Sequence, residues 1–164
     1  MNLKRYCFII IIILIFSINI SAQNVEIDDD EYKNIQKFTA EIYDNYVNEN
    51  FSYVYKNIYS GIKDEITEDE YVSYQEKNFE KYKLEIHDVD VGKVEKMEKL
   101  PAAFDEYIKN NSIKYFARVK VNYEMHFNHL EKDYQKKVNK KVYIGVGKNE
   151  SKYLFWDPRP IKGD

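Results

Sequence analysis

Apolar residues recur at helical spacing in the first half of the chain and at alternate positions in the second. Ile35, Phe38, Ile42 and Tyr46 fall three or four residues apart, with Tyr43 beside them. That spacing puts them on one face of a helix. Asp28-Asp29-Asp30 supplies an N-cap and negative charge at the N-terminal end, where free N–H groups and the helix dipole favour both. The spacing predicts a first helix over about residues 30–48, broken by Asn48-Glu49-Asn50. Phe51, Val54, Tyr55 and Ile58 form the face of a short second helix, with Gly61 as its expected C-terminal stop. Thr67-Glu68-Asp69-Glu70 has the form of a capping box, in which residues one and four satisfy each other's backbone N–H groups. It opens a third helix that buries Tyr71, Phe79 and either Tyr74 or Tyr82.

Beyond residue 82 the period becomes two. Tyr82, Leu84 and Ile86 share one parity, Val89 and Val91 the other. The change predicts a bulge near His87-Asp88. Residues 100–111 read as a loop with a possible helical turn. Ile113, Tyr115, Ala117, Val119, Val121, Tyr123, Met125 and Phe127 then alternate strictly with mostly polar neighbours. Such a strand is dry on one face and wet on the other, as in an antiparallel sheet covered on one side. After a turn at 128–133, Tyr134, Val138, Val142, Ile144 and Val146 make the next inward row. A last strand over Tyr153–Trp156 is stopped by Pro158 and Pro160.

Helices followed by an antiparallel meander predict an α+β fold, with N-terminal helices packed on a curved antiparallel sheet. In element order the chain resembles the NTF2-like (cystatin-like cone) superfamily. Asn50-Phe51 opening the second helix, Ile66-Thr67-Glu68-Asp69-Glu70 opening the third, and the Trp156-Asp157-Pro158 ending also carry the resemblance. It covers about residues 30–158 as one domain, after a lead-in at 23–29 and before a tail at 159–164. The resemblance implies a cone, for which Tyr43, Tyr46, Tyr115, Tyr123 and Trp156 are the candidate lining residues. The superfamily contains both enzymes and non-catalytic binding modules, so fold alone assigns no activity.

Composition adds an address. Lys4 and Arg5 precede the apolar run Phe8–Phe16, and Ile20-Ser21-Ala22 ends it with small residues. This is the layout of a secretory signal peptide cleaved after Ala22, and it places the mature protein in a periplasm or outside the cell, with no membrane span. Removing Lys4 and Arg5 leaves 23 basic against 28 acidic side chains, net −5. A general nucleic-acid binder needs the opposite sign. The single cysteine, Cys7, lies inside the signal, so the mature chain has no disulfide, thiolate-bound zinc or thiol nucleophile. The charge is unevenly spread. Residues 23–112 carry net −11 and residues 113–152 net +6. Lys136, Lys137, Lys140 and Lys141 head a cationic ribbon that suits a protein or envelope partner, or is a solvated face.

Candidate chemistry is sparse. Asp88-Val89-Asp90-Val91-Gly92 begins like an EF-hand, but Gly92 and Lys99 stand where oxygen ligands are required. Gly145-Val146-Gly147-Lys148 lacks the flanking residues of a phosphate loop. No serine sits in a nucleophile elbow. His126 and His129 are spaced for a metal with Glu124 on the same face, but Lys114, Arg118 and Lys120 share that face and argue against a cation. No catalytic residue, metal or cofactor is therefore assigned. An exported, non-catalytic module binding a small apolar ligand or a partner is the expected function, as a monomer or loose homodimer. The alternative is a ketosteroid-isomerase-like or cyclase-like enzyme, with Asp88 or Asp90 as base and Tyr115 or Tyr123 as proton donor.

Overall fold

Four helices precede four strands in the computed structural model, which describes residues 28–109, 112–128 and 134–162. The expected signal peptide and the turn containing His129 lie outside the described residues. Helix α1 spans Asp29–Val47, α2 Phe51–Lys56, α3 Ser60–Lys63 and α4 Glu68–Tyr82. Strands β1 (Leu84–Met97), β2 (Ile113–Phe127), β3 (Tyr134–Gly147) and β4 (Lys152–Phe155) follow, and a last turn of helix, α5, covers Arg159–Lys162. The strands form one antiparallel sheet in the order β1-β2-β3-β4. The fold is α+β, with the helices before a curved antiparallel sheet.

The local signals act where the sequence puts them. Asp28 caps α1 by accepting from the N–H groups of Asp30 and Glu31. Thr67 and Glu70 close both halves of the capping box on α4. Ile35, Ile42 and Tyr43 bury the inner face of α1, and Tyr71, Gln75 and Phe79 that of α4. Their apolar side chains belong to one hydrophobic core with Ala117, Val119 and Val121 of β2, each fully buried. The bulge in β1 falls between His87 and Asp90, where the register with β2 shifts and Asp88 adopts φ 53°.

Three expectations change. Gly61 does not end the second helix; it sits inside the separate short helix α3. A Cβ there would lie 2.0 Å from the Tyr107 carbonyl oxygen, so the position needs a residue without a side chain. The helical turn expected within 100–111 is present as a 3-10 helix over 102–107, but it covers part of the outer sheet face, which the alternation predicts to be wet. Phe104 meets the rings of Tyr143 and Phe155, and Phe155 meets Phe116. That end of the face is therefore partly covered, with Phe116 and Tyr143 half-buried. Tyr134, placed in the inward row by parity, is 52% exposed on the edge of β3 that no described strand covers, with its ring against Phe127.

β3 is longer than its outer neighbour. β4 pairs with Tyr143–Val146 only. Among the described residues no strand pairs with the free edge of 134–142, which carries Lys136, Lys137, Lys140 and Lys141. Lysine on an open edge discourages pairing with a second sheet, so part of the cationic ribbon has a structural explanation.

Candidate functional site

A cavity of about 690 Å³ is lined by the helical layer and the concave face of β2 and β3, and reaches Phe104, Lys141, Tyr143 and Phe155 around the open edge of β3. That is within the range of sites for small molecules. Of the five expected lining residues, Tyr43, Tyr46, Tyr123 and Trp156 are brought together in it. Tyr115 is not. It lies on the same face eight residues back along β2, under the Lys96 ammonium at 4.9 Å and near Lys114 and Glu31.

The wall is built of rings that hold one another. Tyr43 lies 5.8 Å from Tyr123, and Tyr46 meets Phe79 edge-on at 5.4 Å. Trp156 packs perpendicular to Tyr71 at 5.0 Å. At the centre of the helical side is Gln75, 3% exposed, whose side-chain oxygen accepts a 3.1 Å hydrogen bond from the Tyr46 hydroxyl. Burial pushes the hydroxyls of Tyr43, Tyr46 and Tyr71 far above the usual phenol range, and neighbouring tyrosines add to the shift. These tyrosines stay neutral and act as hydrogen-bond donors, not as bases.

Lys140 is the residue the sequence reading places differently. It stands directly across from Val121 in the β2–β3 register, and residues opposite each other in a sheet project to the same face. Val121 is fully buried on the concave side. Lys140 therefore projects inward with Val138 and Val142, and it lines the cavity. Lys136, opposite Met125, has the same parity. Lys137 and Lys141 project to the convex side, where Lys137 lies 3.4 Å from Glu124. The four lysines are thus divided between two faces. Lys140 is exposed by surface area, and desolvation by the surrounding protein lowers its pKa below the ordinary lysine value. No ion-pair partner for it occurs among the described residues. Alternation along β3 contained this signal, since Lys140 shares the parity of Val138, Val142 and Ile144.

Carboxylates are nearly absent from the wall. Asp88 and Asp90 are exposed, and Asp90 accepts from Asn122 on the convex face. Neither lines the cavity. The only carboxylate among the described lining residues is Asp157, at the mouth beside α5. Arg159 grips it through two guanidinium nitrogens and a backbone N–H, which holds the carboxyl below its usual pKa. Asp157 stays ionised and engaged. Among the described residues the site thus offers apolar rings, neutral hydroxyl donors and two lysines, Lys140 and Lys141, besides the Arg159 held by Asp157.

No protein-family model matches the chain, and no curated protein matches it. Among the described residues, no helix is long and apolar enough to cross a membrane.

Proposed function

We propose that this protein binds, without transforming, a small amphiphile: an apolar body among Tyr43, Tyr46, Tyr123 and Trp156, with an anionic group on Lys140. The inward projection of Lys140 carries the reading. An ammonium partly desolvated beside a largely apolar cavity and without an ion-pair partner among the described residues favours an anionic ligand group. Neutral tyrosine hydroxyls add donors suited to the same oxygen atoms. Non-catalytic binding is favoured because Asp157 is tied to Arg159 and, among the described residues, no second carboxylate and no histidine lines the cavity. In this reading the fold is an NTF2-like cone, supported by helices preceding a curved four-stranded antiparallel sheet. Residues 1–22 act as an export signal, supported by their cationic start, apolar run and small-residue end.

Displacement of a fluorescent long-chain carboxylate tests the proposal. Saturable binding at one site, with weaker binding of the matching long-chain alcohol, is the expected result. Equal affinity for acid and alcohol would remove Lys140 from the reading, and no binding of either would remove the ligand class.

A further inference from the structure

On the convex face, at the far end of the β1–β2 pair, two histidines and two glutamates form a cross-strand square. Glu85 stands opposite His126, and His87 opposite Glu124. All four share the convex face, because Ile86, between Glu85 and His87 on β1, is buried on the other side. The imidazole rings of His87 and His126 lie 4.4 Å apart between centroids. One ligand atom from each of Glu85, His87 and His126 lies within 4.8 Å of the others. His87 Nε2 is 3.2 Å from a Glu85 carboxylate oxygen, and His126 Nε2 is 3.8 Å from one of Glu124. His126 Nε2 is closed off from solvent and has no hydrogen-bond partner among the described residues. A buried ring nitrogen without a partner needs an explanation, and a bound cation would supply one.

We propose that Glu85, His87 and His126 bind a divalent transition-metal ion of the zinc type, with Glu124 or water completing the coordination. Two imidazole nitrogens and a carboxylate suit this class. Tetrahedral bonds of about 2.0–2.1 Å put ligand atoms roughly 3.3 Å apart, so side-chain rotation within the observed cluster closes the shell. Spacing alone pairs His126 with His129; the strand register pairs it with His87, thirty-nine positions earlier, across the sheet. The cations that argue against a metal in the sequence are remote. Lys120 is six residues along β2 from His126 and Arg118 eight, roughly 20 and 26 Å at about 3.3 Å per residue. These separations exceed the screening length of about 8 Å at physiological salt. Arg118 is also paired with Glu95. The near cation is Lys137 on Glu124, which a metal would displace or leave in place. The bulge at Asp88 follows the cluster immediately, so a bound ion would clamp β1 to β2 just before their register shifts.

Titration of the tag-free protein with Zn²⁺ by calorimetry, and with Co²⁺ by visible absorption, tests the site. One saturable Zn²⁺ site is expected, together with a Co²⁺ ligand-field spectrum of low coordination number and little response to Mg²⁺ or Ca²⁺. His87→Gln and His126→Gln should each weaken Zn²⁺ binding by at least about tenfold. His87 is exposed, so H87Q keeps the test decisive if H126Q fails to fold. Absence of saturable binding, unchanged affinity in H87Q, or equal affinity for Ca²⁺ would overturn the proposal.

Discussion

Lys140 faces Val121 across the β2–β3 ladder, which points an ammonium into the cavity lined by Tyr43 and Tyr123. The strand buries one of these neighbours completely and leaves the other without a counter-ion among the described residues. A residue that serves only to keep the sheet edge open would do so equally well from the convex side, as Lys137 and Lys141 do. Lys140→Met should therefore lower affinity for a long-chain carboxylate by at least about tenfold, the scale of one charge-assisted hydrogen bond. Affinity for the corresponding alcohol should hold or rise. The melting temperature should be the same or higher, because a desolvated charge is removed. Parallel displacement titrations and thermal melts read both effects.

The lowered pKa of Lys140 gives the same binding a direction in pH. The ammonium is fully charged below its own pKa, which desolvation holds under the ordinary lysine value of about 10.4. Affinity for the anion should be present at neutral pH and be lost as pH rises through that lowered value. An ordinary surface lysine would hold its anion to higher pH. The K140M variant should show a flat profile over the same range. Titration of carboxylate affinity from pH 7 upward distinguishes the two. A wild-type profile that matches the variant's would separate Lys140 from ligand recognition.

Gln75 and Tyr46 join the two helices that wall the cavity, and neither can lose the other cheaply. Gln75→Leu keeps the volume and removes the acceptor for the Tyr46 hydroxyl, 3.1 Å away and screened from water. Leaving that donor unpaired costs about 1–3 kcal/mol. Tyr46→Phe in the Q75L background should recover part of the loss, since removing both partners is cheaper than removing one. Chemical denaturation of the single and double variants gives the coupling directly.

Much of this architecture is legible from the chain because its determinants are local. The capping box at Thr67, the N-cap at Asp28 and the strict alternation of 113–127 each act over a few residues, and each is seen in the structure. The bulge near His87 is legible for the same reason, because a change of parity must be absorbed somewhere. What the chain hides depends on pairing over distance. Gly61 reads as a helix stop until Tyr107, forty-six positions later, is found against it. Four consecutive-looking lysines read as one ribbon until the register divides them. His87 and His126 have no sequence relation that marks them as neighbours. Tyr115 and Tyr123 lie on one face with the right parity, but the cavity occupies only one end of that face.

Gly61→Ala tests the long-range contact. The new methyl would meet the Tyr107 carbonyl carbon and oxygen and the edge of the Tyr59 ring, at 2.0–3.1 Å. Two of these are backbone atoms that cannot swing aside. Overpacking of this kind costs about 1–3 kcal/mol. For a domain of this size, each kilocalorie lowers the melting temperature by roughly 2–4 °C. The 3-10 helix Ala102–Tyr107 should loosen first, because Tyr107 must retreat with it. Hydrogen exchange comparing residues 102–107 with the core of β2 separates local loosening from global destabilisation.

Asp157 and Arg159 close the mouth of the cavity, and their linkage has a definite sign. The carboxyl is held below its unfolded value by hydrogen bonds from Arg159, so the folded state favours the ionised form. The resulting stabilisation is complete above the ordinary aspartate value of about 3.9. It disappears as pH falls through the lowered value, because protons then bind the unfolded chain first and the folded carboxyl afterwards. Arg159→Ala should therefore lower the melting temperature at pH 6 and do so less and less as the pH is taken below 4. The effect should be small, since both side chains reach water and screening weakens such pairs. Its pH dependence is the more telling readout. A loss that persists undiminished in acid would mean that Arg159 acts by packing across the mouth, beside Pro160, and not through the Asp157 charge. Affinity for a long-chain carboxylate should survive the substitution at neutral pH, because the anion is assigned to Lys140 and not to Arg159. If binding is lost along with the pair, the anionic group sits at the mouth and the assignment of its partner moves from β3 to α5.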